Sequence, residues 1–103
     1  MNPAPDPSDC SDMNEVRLGV DEIDRQLVAL IARRFGYMDA AARIKTDRAA
    51  VRDDQRKADV KAKVDCAAAA GGVDRALMAR LYEDLIETSI AHELEGWDAI
   101  HRA

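Results

Sequence analysis

The chain has 103 residues, 48% of them apolar but only 4% aromatic, and a net charge of −5. That length suits one domain, near the smallest that builds its own core without disulfides or metal. The acidic balance, the lack of any Lys/Arg-rich block, and the lack of an apolar run near the ~20 residues of a membrane span argue against nucleic-acid and membrane partners, so a soluble, cytoplasmic protein is expected.

Residues 1–10, MNPAPDPSDC, hold all three prolines and almost no apolar periodicity. They read as a disordered tail ahead of a folded domain over 11–103. Asp12, with Glu15 three residues on, is a capping pair that opens a helix. Val16, Val20, Ile23, Leu27, Leu30, Arg34, Tyr37, Ala41 and Ile44 then alternate steps of four and three, the pattern of a helix seam. Gly19 and Gly36 weaken this helix without ending it, and no stop signal appears before about Asp47. A helix of about 30 residues spans roughly 45 Å, against a radius of gyration of only ~13 Å for a compact chain of this size. Its apolar face therefore needs a partner subunit.

After a break at Thr46–Ala50, a second helix follows with a sparse apolar stripe (Val60, Val64, Ala67, Ala68), ended by Gly71-Gly72 as a C-cap pair. Asp74 caps a third helix, whose wide apolar face comprises Leu77, Met78, Leu81, Leu85, Ile86, Ile90, Leu94 and Trp97. Beta-branched residues never form alternating runs of strand length, so the fold class is all-α with three helices.

Arg34 is the most informative irregularity, a guanidinium on a seam whose other positions are apolar or aromatic. It must be paired or face a ligand, because an unpaired buried charge is costly. Lys45 lies three turns on, about 16 Å along the axis. A fold-back at residues 46–51 would bring Arg56 over the same face. Taken singly, Arg56 reads as a solvated surface charge, Lys45 divides evenly between the two readings, and only Arg34 resists the plain one. Arg17 lies about 25 Å from Arg34 along the helix, too far for both to grip one small molecule in cis, so it would have to come from the other subunit. A helical dimerisation module without catalysis accounts for the seam equally well. It does not account for Arg34, Lys45 and Arg56 together with Ser89 on the facing helix.

From Met13 to Trp97 the chain resembles the all-helical class of chorismate mutases. The residues that carry the resemblance are Val16-Arg17, then Ile23-Asp24-x-x-Leu27-x-x-Leu30-Ile31-Ala32-x-Arg34, then Lys45, Val51-Arg52-Asp53-x-x-Arg56 and Leu81-Tyr82-x-x-Leu85-Ile86-x-x-Ser89. The resemblance implies an intertwined homodimer with two equivalent sites, Arg17 crossing from the partner, and no cofactor or metal. Arg17 and Arg34 would hold the two carboxylates of chorismate, and Lys45 the ether oxygen and a carboxylate. Arg56 would add to the cationic wall, while Asp53 and Ser89 would help hold the ring hydroxyl and a carboxylate. The rearrangement to prephenate is pericyclic and needs no nucleophile. A protein accelerates it by pinning a chair-like conformer and aiming donors at charge developing on the ether oxygen.

Two positions depart from the family's pattern. Glu93 stands where many relatives carry a glutamine facing the ether oxygen. A carboxylate would repel the developing charge, so Glu93 is expected to act as the protonated acid, with activity falling as pH rises. Lys57 stands where relatives often place a glutamate for the substrate hydroxyl, and is expected to alter how the ring is held. Ile90-Ala91-His92-Glu93-Leu94-x-x-Trp97 and Tyr37-x-x-Ala40-Ala41-x-x-x-Lys45 also resemble isochorismate pyruvate lyases of the same fold, which form salicylate and pyruvate. Arg52 and Asp53 lean toward the mutase.

The remaining conspicuous residues have plain readings. Cys10 and Cys66 lack metal or redox spacing and read as reduced thiols. His92 and His101 read as surface histidines, Trp97 and Tyr82 as closing the end of the bundle, and Met38 and Met78 as core.

Overall fold

A computed structural model describes residues 4–102. Among them are three α-helices and no strand: α1 (Met13–Ile44), α2 (Asp54–Gly71) and α3 (Arg75–Ile100). The all-α expectation holds, and no helix among these residues is long and apolar enough to cross a membrane. The chain divides into two compact units, Met1–Arg34 and Phe35–Ala103.

In the first unit, α1 opens at the expected capping pair. Asp12 Oδ1 accepts the Glu15 amide at 2.8 Å, while Glu15 Oε1 accepts the amide and hydroxyl of Ser11 at 2.9 and 2.7 Å. The reciprocal contact thus falls one residue earlier than in the usual capping box, and still satisfies amides that a helix start leaves without partners. The segment 1–10, expected as a disordered tail, contains a 3-10 turn at Pro7–Asp9. Its Ala4, Pro5, Pro7 and Cys10 line a cavity of about 410 Å³ with Val16, Gly19, Val20 and Ile23 of α1. Apolar periodicity does not register such a turn, because proline sets the backbone angle without any stripe. Met1–Pro3 of that expectation lie outside the described residues. Along α1, 32 residues and about 48 Å long, Val20, Ile23, Leu27 and Leu30 are each more than half exposed.

The second unit holds the end of α1, a connecting loop, α2 and α3. Its core is small: Ala42, Val51, Ala68 and Ile86 are the buried apolar residues. α2 packs on α3, and so does the 3-10 turn Arg48–Ala50 in the loop. Each start is capped by an aspartate: Asp47 accepts the Ala49 amide, Asp53 the Arg56 amide and Asp74 the Leu77 amide, at 3.1, 2.9 and 3.0 Å. Gly72 ends α2 with φ +69°, its amide donating to the carbonyls of Ala68 and Ala69. That left-handed geometry favours glycine, as the Gly71-Gly72 pair foretold. Gly96 lets α3 approach α1 closely, since a Cβ there would stand 3.5 Å from that of Ala42.

Candidate active site

Lys45 follows the last helical residue of α1, its amide still donating to Ala41 at 2.9 Å. Its ammonium donates to Glu93 Oε2 at 2.7 Å, with the lysine side chain 29% exposed and the glutamate 5%. Glu93 and Ser89 lie four residues apart on α3, and both are buried. The Ser89 hydroxyl donates to the Leu85 carbonyl at 2.6 Å, the back-bonding common for serine inside helices. A cation and a buried carboxylate thus meet where the end of α1 crosses α3, with the buried Ser89 one helical turn before the carboxylate. Glu93 is buried and paired, its carboxyl facing the ammonium of Lys45.

The loop and the start of α2 carry the other expected residues of this unit. Asp53 is the N-cap of α2 through one carboxylate oxygen, and Arg56 sits exposed in the first turn. Lys57, expected to alter how the ring is held, is engaged within the protein. Its ammonium lies between Glu83 Oε1 at 3.0 Å and Glu87 Oε2 at 2.9 Å, both on α3. Arg52 joins the same cluster, donating to Glu87 at 2.6 and 3.3 Å and to Asp54 at 3.2 Å. The Arg52 fork and then Lys57 hold the Glu87 carboxyl down at about 2. Glu83, and then Glu87, raise Lys57 above the usual lysine range. Lys57 therefore ties α2 to α3.

Reading each helix alone, residue by residue, leaves Glu83 and Glu87 unnoticed. Their spacing of four on α3 faces Arg52 and Lys57, and that pattern of opposed charge is the signal that would have found them. A second cross-helix pair was also missed. His92 Nε2 lies 2.6 Å from Asp39 Oδ1, and the imidazole meets the ring of Phe35 edge-on at 5.0 Å between centroids. Arg34 is half-buried and Arg17 exposed, both on the part of α1 that belongs to the first unit.

The profile of the family described as chorismate mutase type II matches residues 16–94. The chain belongs to this family. The match runs from the first seam residue to Leu94, and so takes in Arg17, Arg34, Lys45, the 46–57 loop, Ser89 and Glu93. The chain is also similar to an isochorismate pyruvate lyase of Pseudomonas aeruginosa, 30% identical over 91 residues that make up 88% of this chain and 90% of that protein.

Proposed function

We propose that the protein is a chorismate mutase, converting chorismate to prephenate in a homodimer. The observation that carries this reading is the ammonium of Lys45 held on the buried Glu93 of α3, inside a chain of the chorismate mutase type II family. Lys45 is the donor for the ether oxygen and an adjacent carboxylate. Arg34, with Arg17 from the partner subunit, grips the two carboxylates as bidentate forks, a task for which a planar guanidinium is suited. Asp53, Arg56 and Ser89 complete the wall around the ring. Lys57 shapes that wall indirectly, through Glu83 and Glu87.

With substrate bound, Glu93 takes up a proton from solvent and donates it as a hydrogen bond to the ether oxygen, while the Lys45 ammonium turns to the substrate. The bond that breaks and the bond that forms both lie within the substrate. The protein supplies a pinned conformer and donors already in place. Support for the homodimer comes from the seam of α1, whose Val20, Ile23, Leu27 and Leu30 stay more than half exposed.

The similarity to the Pseudomonas lyase supports one alternative, elimination of pyruvate from isochorismate to give salicylate. Val51-Arg52-Asp53-x-x-Arg56 favours the mutase, with Arg52 anchored on Glu87 and Asp53 on the helix start. The test gives purified protein chorismate and isochorismate separately, following substrate loss by absorbance and salicylate by fluorescence. Prephenate from chorismate with little salicylate from isochorismate is expected. Salicylate formed well above any mutase rate overturns the reading in favour of the lyase, and turnover of neither leaves a helical dimerisation module.

A further inference from the structure

Lys45 stands where a side chain is hard to hold still. It is the first residue past α1, ahead of a loop, and helix ends fray. Yet α3 grips it at two points. The Trp97 indole N–H donates to the Lys45 carbonyl at 3.0 Å, and the Glu93 carboxylate takes its ammonium at 2.7 Å. Glu93 and Trp97 are four residues apart, so both project from one face of α3. Between them lies Gly96, where an added Cβ would stand 3.5 Å from that of Ala42 on α1. His101 stacks on the indole at 3.8 Å with 15° between ring planes.

We infer that Trp97 is a positioning residue for Lys45, fixing the backbone from which the ammonium reaches the substrate. An indole has one donor and no acceptor, and a ring that merely closed the bundle would not need to aim that donor at this carbonyl. Glu93 alone cannot set the position of the ammonium, because a lysine has four rotatable bonds and the contact is surrendered when substrate arrives. The carbonyl contact persists through turnover, so the origin of the side chain stays put while its tip changes partner. Trp97 lies three residues beyond the family match, which ends at Leu94.

The inference rests on the reading of Lys45 as the group that meets the ether oxygen, and its test separates the two. Trp97→Phe keeps the ring and removes the donor. Its kcat with whichever of chorismate or isochorismate the wild type turns over should fall about 10-fold, and KM should change less than twofold, since small misplacements of a reacting group cost rate before binding. Asp74→Ala, which removes the cap at the far end of α3, serves as a control destabilised to a similar degree, and it should leave kcat within twofold. The clamp is also read without turnover: the side-chain Cε and Nζ resonances of Lys45 should shift or broaden in Trp97→Phe and stay in place in Asp74→Ala. A kcat unchanged in Trp97→Phe, or lowered equally in both variants, overturns the inference. Lys45 resonances unmoved by Trp97→Phe overturn it even if the wild type acts on neither substrate.

Discussion

Replacing Glu93 by glutamine isolates what a carboxylate contributes beside Lys45. The two side chains have nearly the same shape, and the amide oxygen still accepts from the ammonium. If Glu93 donates to the ether oxygen only when protonated, wild-type turnover should decline as pH is raised across the range in which the fold stays intact. The Glu93→Gln variant should instead be flat across that range, and a variant that keeps the wild-type profile would remove Glu93 from the role. Arg34→Ala tests the guanidinium grip in the same residue-by-residue way. Its kcat/KM should fall about 10²–10³-fold, the usual consequence of deleting one donor aimed at substrate charge, with the helical circular dichroism of the wild type retained. Arg34 and Lys45 could be singled out in the sequence because each breaks or closely follows an apolar seam. The partner of Lys45 could not be read there, since Glu93 lies 48 residues away and only packing brings the two together.

At the scale of the helices, local chemistry sets the boundaries and cross-helix charge sets the packing. Asp12, Asp74 and Gly72 are legible because caps and left-handed turns depend on a few adjacent residues. Gly72→Ala, which places a Cβ on a backbone at φ +69°, should destabilise the fold by about 1–2 kcal/mol, read as a lower denaturant midpoint. The Arg52–Glu87–Lys57–Glu83 cluster fastens α2 to α3, and its effect should show in acid. Glu87 titrates at about 2 in the folded chain and near ~4.3 when unfolded. A depressed carboxylate contributes fully above the unfolded value, and the contribution drains away as pH falls through the folded one. Stability should therefore drop between roughly pH 4.5 and 2, and Glu87→Gln should make that limb shallower by chemical denaturation. An equally steep limb in the variant would place the acid sensitivity elsewhere. Residues 7–10 were harder to read, because a single proline-set turn has no period to detect.

For the whole molecule, the question is what covers α1. Half-exposed valine, isoleucine and leucine side chains along Val20–Leu30 each stand to gain about 1 kcal/mol from burial. A homodimer should be seen by sedimentation, with a melting temperature that rises with protein concentration. Leu27→Glu should yield monomers and a lower melting temperature, and sedimentation unchanged by that charge would move the interface elsewhere. Mixing tests the crossing of Arg17. Arg17→Ala and Arg34→Ala homodimers should each be nearly inactive. Unfolded and refolded together, they should recover about a quarter of wild-type activity, because in a two-fold dimer one site of each mixed pair is then intact. No recovery would mean that both arginines serve one site from the same chain.

Composition, periodicity and capping residues determined that this protein is all-helical, where α1 and α3 start and α2 stops, and that its first helix is long for a chain of this size. These are consequences of neighbours a few residues apart and of length set against volume. Motif order and spacing also pointed to the family. Tertiary structure alone decided that Glu93 meets Lys45, that Trp97 holds the Lys45 carbonyl, and that Lys57 is drawn to Glu83 and Glu87. Each of those contacts joins residues 26 to 52 positions apart. A hydrogen bond acts over about 3 Å, so which distant groups come within its reach depends on how the helices pack.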